Sequence, residues 1–219
     1  MTMINNGERA VPGLTDPVTM AEHLARYEFA LPFVTGREVL DVACGVGYGS
    51  QMMARRAKKV TGVDVDPECI EFARANYGHE RVTYQQGDVR KLPFPDECFD
   101  VVVCFETIEH VLEGEECFRE ARRVLRPGGI YLVSTPNRLF FSPGRGPEDP
   151  PVNCFHRREY TVEEFQSLLG GAFLQYRIYQ QSRPREINED FNPVVKLLTT
   201  GEDAWYYIAV ATREAPGAG

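Results

Sequence analysis

The chain has 219 residues, enough for one substantial core, and its 43% hydrophobic and 26% charged residues are an ordinary balance for a globular protein. A net charge of −8 disfavours an extended nucleic-acid surface, because neutralising phosphates needs a basic stripe. No stretch approaches the roughly 20 apolar residues of a membrane span, and residues 1–8 carry no basic segment followed by an apolar run, so a single cytoplasmic domain over residues 1–219 is expected.

In chain order, residues 1–17 are polar and broken by Gly and Pro, and read as an extended arm. Thr19 can cap a helix running to Val34, with Leu24, Tyr27, Leu31 and Val34 on one face. From Arg37 onward strand and helix signals alternate. Strands are expected over Glu38–Val42, Lys59–Asp64, Val82–Gln86, Phe99–Phe105 and Ile130–Thr135. Helices are expected over Gly49–Arg56, Pro67–Tyr77 and Glu113–Leu125. This alternation implies a parallel sheet covered on both faces. The basic clusters Arg55-Arg56 with Lys58-Lys59, and Arg122-Arg123 with Arg126, fall at helix ends, where cations complement the dipole.

After Pro136 the texture changes: residues 142–151 hold four prolines and two glycines, and the whole of 137–160 reads as a lid loop. Thr161 and Glu164 make a capping box for a helix to Leu169, two strands follow over Phe173–Gln180 and Ala204–Thr212, and residues 214–219 read as a disordered tail. Six cysteines show no C-x-x-C pair or zinc spacing, which favours reduced, mostly buried thiols.

The most informative stretch is Val39-Leu40-Asp41-Val42-Ala43-Cys44-Gly45-Val46-Gly47-Tyr48-Gly49, answered by Gly62-Val63-Asp64. A strand runs into a glycine-rich turn and a helix, and a second strand ends on an acid suited to ribose hydroxyls. A dinucleotide turn reads G-x-G-x-x-G, whereas here the third glycine falls one place early. Asp41 would repel a pyrophosphate and suits a ligand bearing an ammonium group. S-adenosyl-L-methionine meets that description better than NAD.

Asp41-x-Ala43-x-Gly45-x-Gly47 resembles the first motif of the class I S-adenosylmethionine-dependent methyltransferases, with Ala43 where Gly is commoner. Gly62-Val63-Asp64, Gly87-Asp88-Val89, Phe99 through Val111, and Arg122 through Gly129 resemble the later motifs in the same order. The resemblance implies an α/β, Rossmann-like fold with a seven-stranded, mostly parallel sheet ordered 3-2-1-4-5-7-6, only the seventh strand antiparallel. It further implies that Asp41, Ala43, Gly45 and Gly47 hold the methionine part of the cofactor and that Asp64 and Val65 meet the ribose. Asp88 and Val89 would meet the adenine, with Tyr27, Phe105 and Glu106 also touching cofactor. The segments Gly7–Gly13, Glu22–Tyr27, Ser134–Asn137 and Phe155–Thr161 are similar to a bacterial branch that often accompanies glycan or secondary-metabolite assembly.

Methyl transfer from a sulfonium is an in-line displacement, so positioning supplies much of the catalysis and a base is needed only if the acceptor keeps its proton. Candidate catalytic residues are His156 in the lid loop, and His110 and Glu109 after the fourth strand. The expected acceptor is a small molecule, an oxygen of a sugar or hydroxylated metabolite, with an amine as the alternative. Nucleic-acid and membrane partners are not expected. No metal is expected either, because the acids look scattered. An NAD-dependent oxidoreductase and a non-catalytic cofactor-binding module are the rival readings.

Overall fold

The computed structural model describes residues 9–182, 195–197 and 204–214. Helix α1 (Pro17–Val34) begins at Asp16, whose carboxylate accepts from Thr19 N at 3.0 Å, with Pro17 in the first turn. The cap is therefore Asp16 rather than Thr19: an acid followed by proline satisfies one orphan N–H and supplies a preset φ. Its buried residues are Glu22, Arg26, Tyr27, Ala30 and Val34, while Leu24 is 38% exposed. The expected apolar face is thus partly charged, because α1 packs on polar groups of the far sheet edge. The Tyr206 hydroxyl donates to Glu22 at 2.8 Å, and Arg26 donates to the Gln181 side-chain oxygen at 2.7 Å.

Strand β1 (Glu38–Val42), helix α2 (Tyr48–Ala54), β2 (Lys59–Asp64), α3 (Pro67–Asn76), β3 (Val82–Gln86) and β4 (Phe99–Phe105) follow the expected alternation. A short 3-10 turn, Ile108–His110, leads to α4 (Gly114–Val124) and β5 (Leu125–Pro136). The helix expected from Glu113 thus starts beyond Glu109 and His110, which stand on a separate turn. Strand β5 begins five residues earlier than expected, and its register slips where Phe99 pairs Leu125 but Val101 pairs Ile130. Pro127-Gly128-Gly129 accounts for the slip, since Pro cannot donate to a ladder. A single turn α5 (Arg138–Phe141), α6 (Val162–Ala172), β6 (Gln175–Gln181), β7 (Val195–Leu197) and β8 (Tyr206–Thr212) complete the chain. The capping box at Thr161 and Glu164 forms as expected.

The sheet order is β3-β2-β1-β4-β5-β8-β6-β7. Pairing is parallel from β3 to β5, and β8 runs antiparallel to both β5 and β6. This is the expected 3-2-1-4-5-7-6 sheet plus one edge strand, β7, against Tyr179–Gln181. The eighth strand lies in a segment that reads as irregular, and three residues carry no period of their own. Alternate residues of each parallel strand face opposite cores. Leu40, Val102, Tyr131 and Val133 pack with Phe118 and Phe165 on the side of α4 and α6. Val39, Val101, Val103 and Leu132 pack with Tyr27, Met53 and Ile70 on the side of α1, α2 and α3. Burial on both faces explains why these strands read as continuous apolar runs.

The N-terminal arm is not free from Arg9 onward: Val11 is buried against Val46 and Cys69. Residues 1–8 and 215–219 lie outside the described residues, but Glu214 is tied down, accepting from Arg122 at 2.8 Å and from Leu174 N at 2.6 Å. All six cysteines are unpaired thiols; Cys44, Cys69, Cys104 and Cys117 are buried, Cys98 is half-buried and Cys154 exposed. Among the described residues no helix is long and apolar enough to cross a membrane.

Candidate functional site

Strand β1 pairs β2 on one side and β4 on the other, so the connections leave it in opposite directions. In open parallel sheets the crevice at such a reversal, beyond the carboxyl strand ends, is where ligands bind. A cavity of about 630 Å³ opens there, lined by Ala43 and Gly45, Asp64 and Val65, and Phe105 and Glu106 among others.

The turn after β1 is held from behind. Asp64 accepts from Gly45 N at 2.8 Å and from Asp66 N at 2.9 Å, so one carboxylate fixes both loops. Each carboxylate oxygen has two lone pairs, so the half-buried group retains acceptor capacity toward the cavity it lines. Burial pushes its pKa up, and the two N–H groups oppose that rise. Val65, 64% exposed, puts an apolar surface beside it. Asp88 lines the same end; its hydrogen bond from Arg90, at 2.6 Å, holds its pKa below the usual range. Val89 completes this wall.

The two turn glycines do different work. Gly45 has φ +54° and nothing within 4 Å of where a Cβ would stand, so its backbone lies bare toward the cavity. Gly47, at φ +95°, caps α2 from the packed side, where a Cβ would meet Ala73 and the Tyr84 hydroxyl. Gly47 does not line the cavity, and neither does Asp41. The Asp41 carboxylate is fully buried, accepting from Ser50 at 2.5 Å and from the Tyr27 hydroxyl at 3.4 Å. Burial raises its pKa to about 7. A buried strand residue whose oxygens face α1 and α2 braces the turn. Tyr27 does reach the cavity, its ring lying on Gly49, where any Cβ would strike it.

At the other end, Glu106 has φ +49° and its Oε1 accepts from Ser134 at 2.6 Å. Glu109 is buried; burial first, then the Glu106 charge, holds its pKa well above the usual range. His110 and His156 meet edge to face with ring centroids 4.9 Å apart. His156 contacts Glu159 through Nδ1 at 2.6 Å and Asn153 through Nε2 at 2.9 Å. Glu109, His110 and His156 all line the cavity, so the fold gathers the three candidates that the sequence separates. Their ligand-capable atoms lie within 4.8 Å of one another, a convergence at odds with the expectation of scattered groups.

Among the lining residues that the sequence reading does not assign to the site are Arg9, His23, Thr107 and Tyr206. His23 stands one helical turn before Tyr27, a spacing that could have found it. Burial, then Arg26, keeps its imidazole neutral. Arg9, in the arm, pairs with Asp66 at 2.7 Å across the mouth. Of the lid expected over 137–160, Phe141, Asn153 and His156 reach the cavity, whereas Leu139 is 60% exposed.

A seven-stranded core of this order with a crevice at the β1–β4 reversal defines the Rossmann-like methyltransferase fold. A family model described as a methyltransferase domain matches residues 40–133. The chain is 43% identical over 167 residues to a probable S-adenosylmethionine-dependent methyltransferase of Mycolicibacterium smegmatis, covering 76% of this chain and 63% of that protein. It is 30% identical over 179 residues to a fatty-acid O-methyltransferase of the same organism, covering 77% and 65% respectively. It thus spans less than two thirds of either relative's length. Among solved structures, a SAM-dependent methyltransferase of Thermotoga maritima superposes with TM-score 0.72 at 21% identity, over 90% of this chain and 92% of that one. Residues 40–133 thus match a methyltransferase domain, and the chain is similar in sequence and fold to S-adenosylmethionine-dependent methyltransferases.

Proposed function

We propose that the chain binds S-adenosylmethionine in this cavity and transfers its methyl group to an oxygen of a small hydroxylated molecule. The observation that carries the reading is the Asp64 carboxylate, locked by Gly45 N and Asp66 N with acceptor capacity left over, beside bare backbone at Gly45. Those groups fit the cofactor: Asp64 would accept from both ribose hydroxyls, Val65 and Val89 would flank the adenine, and Asp88 would accept its amino group. Gly45 and Ala43 would face the methionine part, with Asp41 and Gly47 holding the turn in shape from behind. When bound, the cofactor supplies an electrophilic methyl carbon on a sulfonium.

The cluster of Glu109, His110 and His156 stands in the same cavity as Phe105 and Glu106. There His156 would take the proton of an acceptor hydroxyl, leaving its oxygen free to receive the methyl group that the bound cofactor would supply. The Glu159 carboxylate fixes the proton of His156 on Nδ1 and leaves Nε2 the lone pair. The third glycine of the turn, Gly49, falls one place early for a dinucleotide turn, which speaks against NAD.

Labelled methyl transfer measured over panels of sugars, phenols, fatty acids and amines tests the reading. Label should enter hydroxylated or carboxylate acceptors, and His156→Ala should lower kcat by about 100-fold or more, the usual worth of a general base. Labelling confined to amines would overturn the oxygen assignment.

A further inference from the structure

We infer that Glu109, His110 and His156 form a binding site for one divalent first-row transition-metal ion. Their ligand-capable atoms lie within 4.8 Å of one another. Bonds of about 2.0–2.2 Å to such an ion bring neighbouring ligand atoms to roughly 3–3.5 Å, a closure that small side-chain rotations achieve. Two imidazoles with one carboxylate suit zinc, iron, cobalt or manganese, whereas magnesium and calcium prefer all-oxygen sets.

The surrounding groups are those that ligating histidines require. His110 Nδ1 lies 3.1 Å from the Phe155 carbonyl oxygen, which only accepts, so Nδ1 carries the proton and Nε2 the lone pair. The His156 Nδ1 contact with Glu159, at 2.6 Å, fixes the same tautomer. A second ring nitrogen donating to a carbonyl or a carboxylate is the usual support of a metal-bound imidazole. The two segments are also clamped together: the Glu109 carbonyl accepts from Arg157 N at 2.6 Å and Arg158 N at 3.1 Å. That clamp sets the lid loop against the 3-10 turn independently of the side chains.

Charge balance points the same way. Glu159 is buried, and its Oε2 has no hydrogen-bond partner among the described residues. Glu109 is buried as well; Arg26 lies 3.9 Å from Glu106, and Arg138 Nη1 donates to the Glu159 carbonyl at 3.2 Å. A cation on Nε2 of His156 offsets that excess of carboxylate through the imidazole. The Asn153 amide nitrogen, 2.9 Å from that Nε2, donates to the same lone pair, so a bound ion takes its place and Asn153 turns aside.

Three protein ligands leave coordination positions open toward the cavity. An acceptor hydroxyl would fit one of them, and the ion would then acidify it in place of the base role that His156 has in the metal-free chain. This role rests on the methyl-transfer reading; the site itself does not.

Cobalt(II) titration of the metal-stripped protein, followed by visible absorption, tests the site without reference to turnover. One equivalent per chain should bind and give the d–d bands of a four- or five-coordinate nitrogen–oxygen site. His110→Ala and His156→Ala should each weaken binding at least about 100-fold, and S-adenosylhomocysteine affinity, measured on the same samples, should stay within threefold. Absence of d–d bands in the parent protein, or an unchanged titration in the His110→Ala/His156→Ala double variant, would overturn the inference. Cobalt binding without S-adenosylhomocysteine binding would leave the site standing and sink the cofactor reading, and the reverse pattern would do the opposite.

Discussion

Ala43 adopts φ +54°, a left-handed conformation that costs a residue with a Cβ about 1 kcal/mol or more. Glycine removes that strain but gains freedom in the unfolded chain, worth about 0.4–1 kcal/mol the other way. Ala43→Gly should therefore raise stability by about 0.5 kcal/mol in urea unfolding; a loss of more than that would show that the Ala43 methyl is needed for packing. Asp41 gives a sharper test. Its pKa of about 7 in the fold lies above the ordinary value of about 3.9. The folded state therefore binds the extra proton, and this group's stabilisation is full below pH 4 and lost as pH rises through 7. Asp41→Asn should flatten that fall and, at pH 8, make the ligand-free protein more stable by on the order of 2–4 kcal/mol. A variant weaker than the parent at pH 8 would mean that the Ser50 and Tyr27 bonds need the charge. At this scale the motif marks the residues of the turn, but not on which side of it each one stands. Asp64 and Gly45 face the cavity, while Asp41 and Gly47 face packed helices, and sequence spacing is identical for both outcomes.

Strands and helices from Glu38 to Phe105 were legible almost to the residue, because each is buried by period and closed by a turn signal. Helix α1 was legible in extent but not in face: Glu22 and Arg26 are buried because partners 155 residues and more away receive them, and no local pattern reports that. The arm was misread for a related reason. Val11 anchors it in a small cluster with Val46 and Cys69, and Arg9 reaches Asp66 over the cavity mouth. Burying a carboxylate at that anchor should detach the arm. Val11→Asp is expected to weaken S-adenosylhomocysteine binding about tenfold, roughly 1.4 kcal/mol, and to speed tryptic cleavage after Arg9. Unchanged affinity with faster cleavage would show that the arm only covers the site.

The order of the sheet came from the resemblance, since alternating strand and helix signals imply parallel pairing but not which neighbours meet. The edge strand Val195–Leu197 lies beyond that pattern. Residues 40–133 carry the family match and run from within β1 through β4 into β5, the part proposed to hold the cofactor, whereas segment 137–160, α6 and β6 to β8 lie outside it. That division explains why the cofactor side was readable and the acceptor was not: the wall recurs with the fold, while the acceptor end is set by loops. The most direct test of the whole account is calorimetric titration of the parent protein and Asp64→Ala with S-adenosylhomocysteine, with NAD run in parallel. The account predicts one equivalent bound by the parent, a loss of about 30-fold or more in the variant from two charge-assisted hydrogen bonds, and no heat with NAD. Tight NAD binding, or equal S-adenosylhomocysteine affinity in parent and Asp64→Ala, would contradict it.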